Sequence, residues 1–338
     1  MRIVAQSACR VDLAGGTLDI WPLYLYHEGA VTVNFAVDRY THCRLETRAD
    51  RRIVLRSRDL GVEESFDSLD ALCAAPRYRL PLAAFLVRFF RPAAGMVLDT
   101  DSEAPAGAGI AGSSSLIITI ASALNRLTGA GYALEKLREI CQNVEAQIIR
   151  VPTGPQDYYP AMYGGVSAIE LGPGGIRRRE IPVRPEELDA RVVLAYTGLP
   201  RNSGINNWEV MKAYLDGDRR VRRNFDRIAA IATGMRSALE RGDWNGAGGL
   251  LRLEWSHRRR NAPGISTPMI DRLVAVARKA GALGAKVCGA GGGGCVCFLV
   301  KPEAKEKVAA MIEREGARVL PVRVAARGVQ VKVSRGGP

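Results

Sequence analysis

The stretch Pro105 to Ser115, PAGAGIAGSSS, holds the residue types from which a phosphate cradle is built. Gly107, Gly109 and Gly112 allow backbone N–H groups to approach an anion closely. Leu116, Ile120, Leu124 and Leu127 mark a helix just after them, whose positive N-terminal end faces the same place. Ser113, Ser114 and Ser115 add hydroxyl donors and a candidate Mg²⁺ ligand. Two known phosphate-binding patterns fit badly. Gly107 to Gly112 matches G-x-G-x-x-G in form, but a second helix follows where a dinucleotide fold needs a strand and an acidic ribose partner. The Walker A spacing also matches, yet Ser113 stands where its lysine belongs. A glycine loop that merely caps a helix is the plain alternative.

Two carboxylates come next. On a helix marked by Leu134, Leu137, Cys141, Val144 and Ile148, Glu145 shares the flank of the apolar positions. Asp157 follows the break VPTGP, at the start of a new element. Singly, Asp157 fits a helix cap as well as a catalytic group, and Glu145 fits a surface charge. With the serine loop they supply what phosphoryl transfer requires: an anion cradle, oxygen ligands for Mg²⁺, and a carboxylate to orient or deprotonate an attacking hydroxyl. A second cluster, VCGAGGGGCVCFLV, puts five glycines between Gly289 and Gly294, as for a loop passing close to a ligand or for a tight strand-joining turn. Lys286 beside it either reaches an anion or is solvated. Near the N-terminus, CRVDLAGGTLDIWP gathers Arg10, Asp12, Thr17 and Asp19 around Gly15 and Gly16, a set able to hold a hydroxyl-bearing substrate or simply to build a turn.

These residues need elements to position them. Strands are expected at the N-terminus, at 30 to 37, 42 to 48 and 52 to 58, then a helix at 82 to 90, the two helices above and a hairpin over 163 to 183. Past a proline-containing stretch at 181 to 187 the pattern changes to one strand, RVVLAYTG, and helices at about 206 to 215, 219 to 240, 243 to 260 and 267 to 281. Strands at 285 to 288, 295 to 300 and 318 to 333 surround a charged helix at 302 to 316. The reading is α+β, with domains at 1–185 and 186–338.

Composition narrows the function classes. The chain has 338 residues, 47% hydrophobic and 25% charged, the proportions of a globular protein. The longest uncharged run, 104 to 125, begins with Gly, Ala and Ser, so no membrane span is expected. The N-terminus lacks the long apolar core of a secretory signal, so the expected location is cytoplasmic. Seven cysteines without a C-x-x-C pair point to reduced thiols, and three scattered histidines exclude a zinc framework. A net charge of +13 suits anionic partners. An Arg-rich nucleic-acid-binding protein is the reading from another class, but there is no basic strip interleaved with aromatics.

In order along the chain, CRVDLAGGTLD at 9 to 19, PAGAGIAGSSS at 105 to 115 and GAGGGG at 289 to 294 resemble the three signatures of the GHMP small-molecule kinases, which include galactokinase, homoserine kinase and mevalonate kinase. The resemblance implies a ribosomal S5 domain 2-like N-terminal ATP-binding domain and a ferredoxin-like C-terminal domain. It implies ATP and Mg²⁺ as cofactors, with ATP held by Pro105, Gly107, Ala108, Gly109, Ile110, Ala111, Gly112, Ser113, Ser114 and Ser115. Ile110-Ala111 stands where Leu-Gly is common in the family. Ser114 and Glu145 become the metal ligands, Asp157 the catalytic carboxylate and Arg10 the cation beside the reacting hydroxyl. Gly16-Thr17-Leu18-Asp19 is similar to the GGTD version in bacterial heptose 7-phosphate kinases and fucose kinase domains. This implies a sugar kinase acting on an anomeric C1 hydroxyl, with substrate contacts from Arg10, Gly16, Thr17, Asp19, Asp157, Gly291 and Gly292, and with Arg201 meeting a substrate phosphate. Galactose, fucose, mevalonate or homoserine are the other acceptors. The expected partners are ATP and a small sugar or sugar phosphate, in a monomer or homodimer.

Overall fold

Strand β1 (Arg2–Ala14) alternates exposed and buried residues over its first half and is continuously buried over its second, because helices from both parts of the molecule cover that second half. It belongs to a computed structural model that describes residues 1–199 and 203–334. The first part of the chain continues with β2 (Val31–Thr47), β3 (Ile53–Ser57), β4 (Val62–Phe66), α1 (Leu69–Ala74), α2 (Pro81–Phe90) and β5 (Met96–Ser102). Then come α3 (Gly112–Thr128), α4 (Leu134–Ile149), α5 (Tyr158–Tyr163), β6 (Val166–Gly172) and β7 (Gly175–Glu180). The second part comprises α6 (Pro185–Asp189), β8 (Val192–Tyr196), α7 (Ser203–Leu215), α8 (Arg219–Glu240), α9 (Trp244–Arg258), α10 (Pro268–Ala280), β9 (Ala282–Val287), β10 (Cys295–Val300), α11 (Lys305–Arg314), β11 (Arg318–Leu320) and β12 (Gln330–Ser334).

The strands form two sheets. The first runs β12-β1-β2-β5-β3-β4, with the hairpin β6–β7 added along β2. The separate strands expected at 30 to 37 and 42 to 48 are one strand. A register shift opposite Ala8 and Cys9 bends β2, so residues 31 to 35 pair with β6 and residues 41 to 47 with β5. The second sheet, β11-β8-β10-β9, is antiparallel throughout, and its β-α-β-β-α-β chain order is the split arrangement of ferredoxin-like domains. The single strand expected over 318 to 333 divides. Pro321, which has no N–H to offer a ladder, follows β11, and the chain then crosses back so that β12 pairs with β1.

One apolar core lies between the first sheet and α2, α3 and α4; another fills the second domain. A third joins the two, setting Val11, Leu13, Val33 and Phe35 against Leu194, Met235, Leu251 and Cys297. That shared core lies beside the buried half of β1, so the motif carried there is clamped from both sides. Among the described residues no helix is long and apolar enough to cross a membrane.

Candidate active site

Arg10 and Asp12 are two residues apart on β1 and so project to the same face. The Arg10 guanidinium donates from Nη1 to Asp12 Oδ1 at 3.2 Å and to the Gly109 carbonyl at 2.7 Å. From Nε and Nη2 it donates to Asp157 Oδ1 at 2.9 and 2.7 Å. Asp12 accepts the Gly289 N–H at 2.9 Å and forms an ion pair with Lys286, whose side chain is fully buried. Charges therefore alternate along Lys286, Asp12, Arg10 and Asp157. Burial opposes the charge on Arg10, but Asp157 and Asp12 outweigh it and hold its pKa above the usual range. Burial likewise pushes the Asp12 carboxyl up, and Lys286 and Arg10 more than reverse this, leaving it well below the usual carboxylate range. Lys286 is thus neither solvated nor free for an anion, contrary to both sequence expectations. Of these four groups Asp157 alone keeps appreciable exposure, and its Oδ2 has no hydrogen-bond partner among the described residues.

The glycine loop runs into α3, whose N-cap Ala111 provides no side-chain cap. The first-turn N–H groups of α3 have no acceptor within the helix, which leaves donors and the positive helix end for an anion. Ala111 adopts φ 59°, a left-handed conformation that costs a non-glycine residue about 1 kcal/mol. Ala111→Gly is expected to raise stability by up to about 1 kcal/mol, seen as a higher urea midpoint at unchanged slope; a lower midpoint would contradict the strain.

The second glycine cluster docks on this loop. Gly294 has φ 76°, and a Cβ there would lie 2.7 Å from the Ala108 carbonyl, which also accepts the Cys295 N–H at 2.7 Å. Gly291 and Gly292, expected at the substrate, lie instead against Ile265, whose carbonyl accepts the Gly292 N–H at 2.9 Å. Gly289 and Ala290 are the residues of this cluster at the cavity wall. Two members of the expected ATP loop also turn away from the cavity. Ile110 is buried in the shared core, and Ser115 donates to the Ser7 carbonyl at 3.1 Å and bonds Thr41 at 2.9 Å.

Ser113 and Ser114 donate to Glu145, one to each carboxylate oxygen, at 2.8 and 3.1 Å, and Tyr158 donates to it as well. Glu145 is buried; desolvation lifts its pKa while the hydroxyl donors pull it back. These are hard oxygen groups beside an anion cradle, and they fit Mg²⁺, which takes one or two protein oxygens and completes its shell with phosphate and water. Asp19 is buried too, and accepts the Gln156 N–H at 3.0 Å on Oδ2. Burial, reinforced by the negative charge of Asp157, pushes its carboxyl up to about 7.

Arg10, Gly16, Thr17, Asp19, Glu145 and Asp157 line one cavity of about 410 Å³, together with Pro105, Gly107, Ala108, Gly109, Ala111, Gly112, Ser113 and Ser114. Arg201 lies outside the described residues. Sequence reasoning overlooked Gln156 and Asn207, which also line the cavity, and the buried pair Glu254 and Arg258 just behind it. The i, i+4 spacing of that pair, flanking buried Leu251 and Trp255 on α9, was the available signal.

Comparison with known proteins agrees with this geometry. Residues 79–165 match the GHMP kinases N terminal domain and residues 235–318 the GHMP kinases C terminal domain. A D-glycero-alpha-D-manno-heptose 7-phosphate kinase from Campylobacter jejuni is 26% identical over 97% of this chain and 98% of its own. The L-fucokinase/L-fucose-1-P guanylyltransferase of Bacteroides fragilis is 29% identical over 97% of this chain, which spans 38% of that longer protein. In three dimensions the chain superposes on a D-glycero-D-manno-heptose 1-phosphate kinase from Bacteroides thetaiotaomicron with a TM-score of 0.79, at 21% identity, covering 99% of this chain and all of that one. Two matched domains, in the order and fold that the three glycine-rich motifs imply, make this chain a member of the GHMP kinase family.

Proposed function

We propose that the protein transfers the γ-phosphoryl group of ATP to the anomeric C1 hydroxyl of a heptose 7-phosphate. The observation that carries the reading is the convergence of the phosphate loop, the Glu145 cluster and two further carboxylates, Asp19 and Asp157, on one cavity. The loop and the first turn of α3 would hold the phosphates by their N–H groups. Ser114 and Glu145 would hold Mg²⁺, which when bound neutralises phosphate charge and orients the transferred group. Asp157 would accept the proton of the attacking hydroxyl on Oδ2, since Arg10 occupies Oδ1 with two hydrogen bonds. Arg10, fixed by Asp12 and Gly109, holds that carboxylate in place and adds positive charge near the developing oxyanion. Asp19 would accept hydroxyls of the sugar. The heptose acceptor is supported by the Gly16-Thr17-Leu18-Asp19 motif and by the Campylobacter relative.

The test is a panel of heptose 7-phosphate, galactose, fucose, mevalonate and homoserine with ATP and Mg²⁺, read by ³¹P and ¹H NMR. An anomeric phosphate on heptose 7-phosphate is expected. Preferential formation of a phosphate ester on another alcohol would replace the acceptor, and no transfer to any of them would overturn the reading.

The pH dependence supplies a separate check. Asp19 titrates at about 7 because of its burial and of Asp157, so it loses its charge, and with it acceptor strength, as pH falls through neutrality. The KM for the sugar is expected to rise on the acid side of that value, and Asp19→Asn should remove the dependence. A wild-type KM that stays flat through neutral pH would show that Asp19 does not change charge there on sugar binding.

A further inference from the structure

The turn that carries Gly16 and Thr17 into the cavity is strained. Thr17 has φ 67°, and a β-branched residue in the left-handed region is a true conformational outlier. Such a geometry persists only where its surroundings impose it. Here the imposition comes from the other domain. Arg258, on α9, donates from Nη2 to the Gly16 carbonyl at 2.7 Å and from Nη1 to Thr17 Oγ1 at 3.1 Å. The Thr17 hydroxyl in turn sends its proton to Asn207 Oδ1 at 3.3 Å, so that proton is committed inside the protein. Arg258 is itself pinned by Glu254, one turn back on the helix, through Nε at 2.7 Å and through Nη2. Both charged side chains are buried, and neither lines the cavity.

We propose that Arg258, oriented by Glu254, is a positioning residue for the sugar. It holds the Gly16–Thr17 turn in its strained form from across the domain interface, and the turn in turn sets the place of Asp19 two residues on. This rests on the proposed sugar-kinase reading. A planar guanidinium held along one edge by a carboxylate and donating to two oxygens from its remaining N–H groups does what an ammonium cannot, since lysine is a point charge without that fork. The arrangement also narrows the part Thr17 can play: with its proton given to Asn207 and one lone pair to Arg258, its oxygen can meet the sugar only as an acceptor.

The test compares wild type, Arg258→Lys and the double variant Glu254→Met/Arg258→Met. Lysine keeps a partner for the buried Glu254 but cannot serve both turn oxygens. The double variant removes both charges and so avoids the destabilisation of an unpaired buried ion. Both are expected to raise the KM for the sugar about tenfold or more, with kcat and the KM for ATP within about twofold of wild type. Hydrogen exchange should show lost amide protection confined to residues 15 to 19. Wild-type sugar KM together with unchanged protection in both variants overturns the proposal, as does a KM rise shared equally by ATP and sugar. If wild type phosphorylates no sugar, the functional reading fails, and the exchange data alone decide whether Arg258 holds the turn.

Discussion

Replacing Asp157 by alanine is expected to lower kcat by about 10³-fold, the middle of the range for loss of a general base. Folding and ATP affinity should change little. The expectation follows from the geometry of Arg10. In the variant the guanidinium keeps Asp12 and the Gly109 carbonyl, so no buried charge is left without a partner. Asp157 is also the one exposed end of the charge chain, so its removal opens no hole in the core. Glu145, Ser113 and Ser114 do not touch it through any hydrogen bond, which leaves the hydrogen bonds on the nucleotide side of the cavity as they were. Single-turnover kinetics beside a thermal unfolding curve provide the measurement. Turnover within about tenfold of wild type would remove Asp157 from the proton-transfer step.

Cutting the same chain at its other end should have the opposite character. Lys286→Met leaves the Asp12 carboxylate buried without its cation and is expected to cost about 3–5 kcal/mol of stability, as for other half-broken buried pairs. Arg10 cannot fully compensate, because its Nη1 is already shared between Asp12 and Gly109. Adding Asp12→Asn removes the stranded charge, while the amide oxygen can still accept from Gly289 N–H and Arg10. Most of the lost stability should return in that double variant. Activity should not return in full, because Arg10 would lose the charged anchor that opposes the pull of Asp157. Chemical denaturation of the two variants, with kcat measured on the double variant, checks both halves. A stable Lys286→Met protein would show that the ion pair contributes little.

Much of this was legible in the sequence, and the parts that were not share a cause. The phosphate loop could be read because its glycines, its serines and the helix they open are contiguous, so local chemistry decides its form. The β6–β7 hairpin was legible for the same reason, its turn residues standing between two short strands. The partners of Asp12 and Gly16 were not. Lys286 and Arg258 reach them from the other domain, across more than two hundred residues, and no periodicity records such a contact. Lys286 in particular reads as a surface cation next to a glycine loop, and only the fold shows that it is fully buried against Asp12. Gly291 to Gly294 gave a true signal of close backbone approach, but the approaching partners are Ile265, Leu199 and Ala108, which are all protein. A glycine run records crowding without naming what crowds it. The division of 318 to 333 turned on Pro321, which a reading by alternation alone passes over.

The pairing of β12 with β1 also bears on how the molecule is made. β1 is synthesised well before β12, its outer neighbour in the sheet, because nearly the whole of the described chain lies between them. Until β12 has been made, one edge of β1 must therefore wait with its N–H and C=O groups open to other chains. Along that stretch Arg2, Val4 and Gln6 share the outer face of the strand, opposite inward-facing Ile3 and Ala5, so a charge and an amide flank the outward apolar side chain and make the open strand a poorer template for other chains.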